Sequence, residues 1–187
     1  MNIKTVGIAG TGLIGAGWAA RLLFRGYNVI AFDVSETAEA KLKAQIKTAW
    51  PSLVALLGKP IKKGKLSFTT NLAEMAAKAD FIHECAPERE DLKIRLFRDI
   101  DAVARPDVII ASSSSGFLPT NLQSQCKHPE RVIIGHPFNP VYLLPLVETV
   151  PGEKTSAEAM DQAGVYFEAI GMQVLRLKKE IMGYVCD

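Results

Sequence analysis

The amino-acid sequence predicts a doubly wound, mostly parallel α/β sheet. Three observations lead to this prediction. An apolar run at 6–9 enters a Gly-x-Gly-x-x-Gly turn, and apolar residues then recur with helical spacing. A second apolar, β-branched run at 28–32 follows and ends in Asp33. Through the rest of the chain, apolar strand-like runs alternate with helical patterns, as in sheets built from βαβ units.

The glycine turn is typical of a dinucleotide-binding βαβ unit. Gly10 permits the tight turn, and Gly12 lets backbone amides approach a pyrophosphate that a side chain would block. Gly15 lets the helix lie close to the strand, and the helix N-terminus carries partial positive charge toward the phosphates. The predicted cofactor-binding residues of this turn are Gly10, Thr11, Gly12, Leu13, Ile14 and Gly15.

Asp33 is the predicted ribose-binding acid. It lies 18 residues after Gly15, near the roughly 20 expected for a carboxylate that binds a ribose 2′-hydroxyl. A polar residue can also simply end a strand, but here strand, glycines, helix, strand and acid come in the expected order. Val34 and Ser35 follow, with no arginine for a 2′-phosphate, so NAD is favoured over NADP. These features together predict a Rossmann-type fold.

Later segments continue the alternation. Ser35 is the expected N-cap of a helix at 36–50, which Pro51 would interrupt or kink. Asn71 with Glu74 resembles a capping box, and Ser156 is a second expected N-cap. The predicted strands lie at 66–70, 80–86, 108–111, 131–136, 144–149 and 173–177. The remaining predicted helices lie at 71–78, 91–103, 119–125 and 156–170.

Composition places the chain among ordinary globular domains. It has 187 residues, of which 48% are hydrophobic and 22% charged, so a single domain with a good-sized core is expected. The net charge of +2 is too small to indicate a nucleic-acid or anionic-membrane partner. No apolar run is long enough to span a membrane.

Cysteine usage favours a reducing compartment. Cys85, Cys126 and Cys186 are far apart, odd in number and without metal-ligand spacing. This pattern argues against a disulfide framework or a zinc site, and no metal is expected. The first residues enter the first strand directly, without the pattern of a secretory signal. The prediction is a cytoplasmic protein.

His136 is the candidate general base. It stands at a predicted strand end, on the edge of the sheet where open α/β folds bind ligands, and Glu148 follows 12 residues later. A histidine oriented by a carboxylate can take the proton of an alcohol as hydride leaves. The alternative, a core histidine satisfied by a backbone carbonyl, or a surface role, is preferred for His83 and His128.

Two further candidates have equally ordinary explanations. Ser115 could donate a hydrogen bond to a substrate oxygen, although a serine run after a strand is also common turn chemistry. Glu88 and Lys93 lie five residues apart at a helix entry. Such a pair is most often a solvated cap and less often a ribose contact.

Several motifs resemble the 3-hydroxyacyl-CoA dehydrogenase superfamily over essentially the whole chain. Beyond the glycine turn they are Ala86-Pro87-Glu88, residues 111–115, and Gly135-His136-Pro137-Phe138-Asn139-Pro140 with Leu146-Val147-Glu148. The resemblance implies an NAD-dependent oxidoreductase acting on a 3-hydroxy acid. It implies that His136 is the base, that Glu148 orients it and that Ser115 holds the reacting oxygen. It also places four residues near the nicotinamide ribose: Glu88, Lys93, Ser113 and Asn139.

Within the superfamily, residues 84–90 and 137–145 are most similar to the L-carnitine dehydrogenases. The implied reaction is oxidation of L-carnitine to 3-dehydrocarnitine, with a short-chain 3-hydroxyacyl-CoA or gulonate-type dehydrogenase as the alternative. A catalytically silent, crystallin-like or NAD-sensing protein is an alternative of another class. The trimethylammonium group of carnitine would need an aromatic lining. Phe138 and Tyr142 are the nearest candidates, and core packing explains both equally well.

Four positions depart from the fatty-acid enzymes of the superfamily. Ser113 stands where they usually carry Asn, and Gly116 stands where they carry a second Ser. Met182 replaces a Pro, and Asp187 replaces an active-site Asn. The departure at Asp187 argues against a CoA thioester substrate.

The resemblance also implies a domain organisation. Residues 1–187 would form the NAD-binding domain, with a tail from about residue 178 leading toward a helical C-terminal domain that is absent from this chain. That domain would complete the substrate pocket and form a homodimer. The apolar residues after Gly183 are expected to lack a packing partner here. Residues 1–187 alone are expected to bind NAD and to show little or no dehydrogenase activity.

Overall fold

The computed structural model describes residues 2–60 and 62–185; Cys186 and Asp187 lie outside the described residues. Within those ranges the strands are β1 Thr5–Ala9, β2 Asn28–Phe32, β3 Leu66–Thr69, β4 Phe81–Glu84, β5 Ile109–Ser112, β6 Val132–Pro137, β7 Leu146–Pro151 and β8 Gln173–Arg176. The helices are α1 Leu13–Phe24, α2 Ala38–Leu57, α3 Leu72–Lys78, α4 Glu90–Asp101, α5 Pro119–Leu122 and α6 Ala157–Ala169.

The described strands form one sheet in the order β3-β2-β1-β4-β5-β6-β7-β8. Strands β1 to β6 are mutually parallel, and the chain reverses between β6 and β7. Strand β8 then pairs parallel to β7. The predicted doubly wound, mostly parallel sheet is therefore confirmed, with the antiparallel step confined to the β6–β7 pair.

Helices cover both faces of the sheet, because successive strand residues point to opposite sides. Ile109 and Ile133 belong to the core on the face of α1, α2 and α6. Their neighbours Ile110 and Ile134 belong to the core on the face of α3, α4 and α5. Strands buried on both faces read as continuous apolar runs, which is the pattern that the sequence shows.

Helix α2 differs from its prediction at both ends. It begins after Thr37, and the Ser35 hydroxyl bonds to Thr37 Oγ1 at 2.8 Å instead of capping the helix. Pro51 does not end the helix, which runs on to Leu57. An internal proline costs about 3 kcal/mol. The stripe of Leu42, Ile46 and Leu53, all buried, offsets that cost, since each buried side chain contributes roughly 1.5–3 kcal/mol.

Two other helix starts agree with the sequence. Asn71 accepts a hydrogen bond from the Glu74 amide at 3.2 Å, and Ser156 accepts one from the Ala159 amide at 3.0 Å. The second bond of a capping box, from the Asn71 amide to the Glu74 carboxylate, is not formed: the Asn71 amide donates to the Thr69 hydroxyl. The Glu74 carboxylate accepts from Thr69 and Lys78 instead.

The tail also differs from its prediction. Tyr184 follows Gly183 and is only 5% exposed, packed with the core on the α3–α5 face. Its hydroxyl donates to the Phe117 carbonyl at 2.7 Å. The expectation that the residues after Gly183 lack a partner was therefore wrong for Tyr184. Among the described residues, no helix combines the length and apolarity needed to cross a bilayer.

His83 is a core histidine, but its partner is not a backbone carbonyl. Its Nε2 lies 2.9 Å from the Tyr166 hydroxyl, and its ring stacks on Trp18 with centroids 4.3 Å apart. Complete burial lowers its pKa from 6.5 to about 3. The imidazole is therefore neutral in the folded protein at neutral pH.

This burial makes stability depend on pH. Below pH 6.5 the unfolded chain takes up a proton at His83 that the folded chain refuses until about pH 3. As the pH is lowered between these limits, the free energy of unfolding should therefore fall by about 1.4 kcal/mol per pH unit because of this group alone. His83→Gln keeps a polar group opposite Tyr166 but cannot titrate. We expect it to be less stable than wild type at pH 7, with a difference that narrows toward pH 4 in urea unfolding.

His128, whose side chain is 45% exposed, supplies the control: His128→Gln leaves His83 in place, so it should keep the fall in stability between pH 6.5 and pH 3 that His83 causes. A stability difference between wild type and His83→Gln that stays constant from pH 7 to pH 4 would contradict this account.

Candidate functional site

The carboxyl ends of β4, β5 and β6, together with Ile14 on α1, border one cavity of about 460 Å³. Parallel strands place these ends at the same edge of the sheet, where open α/β folds bind ligands. The cavity is lined by Ile14, Cys85, Ala86, Glu88, Lys93, Ser113, Ser115, His136, Pro137, Phe138 and Asn139. The structure thus brings the glycine turn, the serine run and the candidate base to one edge of the sheet.

The glycine turn has the shape that a dinucleotide requires. Gly10 has φ +101°, and a Cβ there would lie 2.5 Å from the Cys85 carbonyl oxygen. A Cβ on Gly15 would collide with the Gly10 carbonyl. A Cβ on Gly12 would meet no atom within 4 Å and would point into open space beside the N-terminus of α1. With no acidic residue in the first turn of α1, this space fits a pyrophosphate.

Asp33 holds the turn in place. Its Oδ2 accepts hydrogen bonds from the Thr11 amide at 3.0 Å and the Thr11 hydroxyl at 2.7 Å. Its Oδ1 has a long contact of 3.4 Å with the Ser35 amide. A carboxylate has about four acceptor positions, so Oδ1 keeps capacity for a ribose hydroxyl. The role of Thr11 as the donor to Asp33 was not evident from the sequence.

His136 and Glu148 form a buried pair. They are directly opposite each other in the antiparallel β6–β7 register, and His136 Nδ1 lies 2.8 Å from Glu148 Oε2. An ionised carboxylate only accepts hydrogen bonds, so Nδ1 carries the proton and the lone pair is on Nε2. Glu148 is completely buried and His136 is 8% exposed. The imidazole therefore presents a proton acceptor at the cavity.

The four serines at 112–115 alternate between buried positions and positions that line the cavity. Ser112 and Ser114 are buried, and their hydroxyls donate to Glu84 and Glu88 respectively. Ser113 and Ser115 line the cavity. The Ser113 oxygen also accepts from Trp18 Nε1 at 3.1 Å, so the position predicted near the nicotinamide ribose is tied to the core.

Lys93 is not part of a solvated cap, contrary to one reading of the sequence. It is 1% exposed, and its Nζ lies 2.8 and 2.9 Å from the two oxygens of the buried Glu84. It also donates to the Ala86 carbonyl at 3.1 Å and lies 3.4 Å from Glu88 Oε2. Glu84 was missed in the sequence, although an acid inside an otherwise apolar strand is a signal that a buried cation pairs with it.

The two candidate aromatic residues, Phe138 and Tyr142, lie in different depressions of the surface. Phe138 lines the cavity, with its ring centroid 5.2 Å from that of His136, and Asn139 lies beside it. Tyr142 lies instead in a different depression between α1 and α2, with Leu13 and Ala49. The structure therefore does not bring Tyr142 to His136, and packing against α1 and α2 accounts for it.

A larger depression of about 630 Å³ lies between α2 and β3, where Lys63 Nζ is 4.4 Å from the centre of the Trp50 ring. Its lining contains lysines and apolar side chains without a carboxylate or histidine. It therefore lacks the histidine and carboxylates that the first cavity provides.

The carboxylate of Asp33 should repel the 2′-phosphate of NADP⁺ and accept a hydrogen bond from the 2′-hydroxyl of NAD⁺. Calorimetric titration should show NAD⁺ binding at least roughly tenfold tighter, about 1.4 kcal/mol. Asp33→Ala should narrow the preference for NAD⁺ over NADP⁺. Glu36→Ala removes an exposed acid nearby and should leave the preference unchanged. Equal or tighter binding of NADP⁺ to the wild-type chain would contradict the role of Asp33.

Comparison with known proteins agrees with this geometry. The family model of the 3-hydroxyacyl-CoA dehydrogenase NAD-binding domain matches residues 5–181. The L-carnitine dehydrogenase of Pseudomonas aeruginosa is 48% identical over 187 residues, which are the whole of this chain and 58% of that protein. The L-carnitine dehydrogenase of Bacillus cereus is 44% identical, with 57% of its length covered. This chain thus spans less than two thirds of the length of these relatives.

Two solved structures share the fold. The NAD⁺-dependent dismutase FHMPC 5-dehydrogenase superposes with a TM-score of 0.90 at 31% identity, over 98% of this chain and 60% of that one. The 3-hydroxybutyryl-CoA dehydrogenase of Escherichia coli K12 superposes with a TM-score of 0.86 at 30% identity, over 94% of this chain and 38% of that one. From its match over residues 5–181, together with the glycine turn and the paired His136 and Glu148, the chain belongs to the NAD-binding domain family of the 3-hydroxyacyl-CoA dehydrogenases.

Proposed function

We propose that the whole protein oxidises a 3-hydroxy acid with NAD⁺, and that its substrate is L-carnitine, converted to 3-dehydrocarnitine. The observation that carries the proposal is the His136–Glu148 pair, which opens on the same cavity as the glycine turn. A base and a dinucleotide site on one edge of the sheet are the two parts that an alcohol dehydrogenation needs. Bound NAD⁺ supplies the hydride acceptor for the carbinol carbon.

His136 takes the hydroxyl proton at Nε2. Glu148 supports this step in two ways, because its Oε2 holds the Nδ1 proton in place and its charge stabilises the imidazolium that forms. Since Glu148 is completely buried, this charge is little screened by solvent. Ser115 lines the same cavity and is proposed to donate a hydrogen bond to the reacting oxygen.

The substrate assignment has two supports. Curated relatives that are 41–48% identical are named L-carnitine dehydrogenase. Phe138 presents an aromatic ring beside His136, and a quaternary ammonium group over such a ring gains roughly 0.5–2 kcal/mol. The proposed contacts of the substrate are therefore Ser115, His136 and Phe138.

Homodimerisation of the whole protein and a cytoplasmic location remain proposals. The relatives extend beyond the matched segment, which leaves room for a second domain that carries the dimer contact. The widely spaced cysteines, of which Cys85 and Cys126 are free, are compatible with a reducing compartment.

Loss of the base should abolish most turnover. His136→Ala in the whole protein should lower kcat with L-carnitine by roughly 100- to 10,000-fold, the usual contribution of a general base. Glu148→Gln should lower the rate and move the acidic limb of the pH–rate profile to lower pH, because the imidazolium loses its counter-charge. Affinity for NAD⁺, measured by calorimetry, should barely change in either variant.

Near-normal turnover of His136→Ala would mean that the base lies elsewhere. Wild-type protein that binds NAD⁺ but oxidises neither L-carnitine nor a 3-hydroxyacyl-CoA would favour the catalytically silent alternative. Turnover of the CoA thioester alone would favour the short-chain 3-hydroxyacyl-CoA alternative.

The aromatic ring of Phe138 should matter for carnitine. Phe138→Leu keeps an apolar side chain but removes the π face, so the KM for L-carnitine should rise several-fold while the KM for NAD⁺ stays constant. Tyr142→Leu is the matched control, because Tyr142 lies in the α1–α2 depression away from His136. An unchanged carnitine KM in a normally folded Phe138→Leu enzyme would remove Phe138 from the cation site.

A further inference from the structure

Both oxygens of the Glu148 carboxylate are engaged. Oε2 binds His136 Nδ1 at 2.8 Å, and Oε1 accepts a hydrogen bond from the backbone amide of Val185 at 3.1 Å. Strand β7 supplies the carboxylate, whereas the amide comes from the tail, 37 residues further along the chain. The orientation of Glu148 therefore depends on a segment outside the sheet.

Tyr184 holds that segment in position. Its hydroxyl donates to the Phe117 carbonyl at 2.7 Å, and its ring centroid lies 5.6 Å from that of His136. Its amide lies 3.3 Å from the Ile181 carbonyl, which closes a turn, and its φ of 56° lies in the left-handed region. A non-glycine residue rarely adopts this conformation unless tertiary contacts impose it. Here the buried ring imposes it and thereby directs the Val185 amide toward Glu148.

We infer that the Val185 N–H is a positioning donor for the His136–Glu148 pair, which rests on the proposed role of that pair as the base. The donor fixes the carboxylate rotamer by occupying the oxygen that His136 does not use. It also withdraws electron density from the carboxylate, because a hydrogen bond to the charged form makes that form less basic. Glu148 then orients the imidazole without holding its Nδ1 proton too tightly.

Removal of the N–H should make Glu148 more basic and stabilise the imidazolium. In NMR titrations of the 187-residue chain without cofactor or substrate, Val185→Pro should raise the pH at which His136 titrates by roughly half a unit or more. Val185→Ala is the matched control, since it keeps the amide and changes only a side chain that is 59% exposed. It should titrate like wild type.

The other ionisable groups around His136 are the same in each variant. Tyr184 of the tail packs against the imidazole, and Cys85, Glu88 and Lys93 line the cavity in front of it. Lys93 is paired with Glu84 and lies close to Glu88. A shift of the His136 titration therefore reports on Glu148.

Proline also restricts the residue before it, and Val185→Pro could distort the turn at Tyr184. A semisynthetic chain with an ester in place of the Val185 amide removes the N–H without a ring and should show the same upward shift. A folded Val185→Pro or ester chain in which His136 titrates as in wild type would overturn the inference. An equal shift in Val185→Ala would overturn it as well, because the effect would then belong to the side chain.

Turnover separates this inference from the proposed function. In the whole protein, Val185→Pro should lower kcat for L-carnitine several-fold and leave the KM for NAD⁺ unchanged. If the wild-type protein oxidises no 3-hydroxy acid, the proposed function fails, whereas the titration still decides whether the Val185 amide positions the pair.

Discussion

The candidate site depends on one strand pairing, the antiparallel β6–β7 ladder. Five parallel pairings bring the strand ends to one edge of the sheet, and the chain reversal after β6 sets His136 and Glu148 directly opposite each other there. Opposed residues in an antiparallel pair have Cβ atoms about 4.5–5.5 Å apart and point to the same face. A register slip of one residue would turn Glu148 to the other face of the sheet. The register of the β6–β7 pair therefore determines whether His136 and Glu148 can meet.

A second constraint is the buried charge cluster behind the cavity. Glu84 at the end of β4 accepts from Lys93 on α4, from the Ser112 hydroxyl on β5 and from the Ala86 amide. A buried ion pair of this kind contributes little net stability, because desolvation offsets its attraction. Its effect is positional, since it connects two strand ends and a helix around one ammonium group. The alternating serines extend this connection to Glu88 at the cavity edge.

Local sequence patterns were enough to predict the fold, the glycine turn and the candidate base. Asn28–Phe32 agrees residue for residue with its prediction, and the caps Asn71 and Ser156 agree because a cap needs only residues three positions apart. The direction of β7 could not be predicted in this way, since an apolar run has the same pattern in either direction. The His136–Glu148 contact was still anticipated from residue type and from family resemblance.

The predictions that failed concern tertiary burial. Lys93 with Glu88 was interpreted first as a solvated helix cap, but Lys93 is buried and its partner Glu84 comes from a different element. Pro51 was expected to interrupt or kink the helix after Trp50; it does not interrupt α2, because the buried stripe on that helix extends past it. Tyr184 was read as part of an unpartnered tail, whereas its ring reaches a core 34 residues or more away in sequence. No local signal in the sequence marks the contacts of α2 beyond Pro51 or those of Tyr184, and the one signal for Lys93 is the acid Glu84 inside an otherwise apolar strand.

The central claim is that His136 receives the hydroxyl proton of a 3-hydroxy acid at a site shared with NAD⁺. A crystal structure of the whole protein with NAD⁺ and L-carnitine tests it most directly. The carnitine hydroxyl oxygen should lie within hydrogen-bonding distance of His136 Nε2, about 2.6–3.2 Å, with Glu148 still on Nδ1. A complex in which the hydroxyl oxygen contacts another side chain and His136 Nε2 faces away from it would contradict the account.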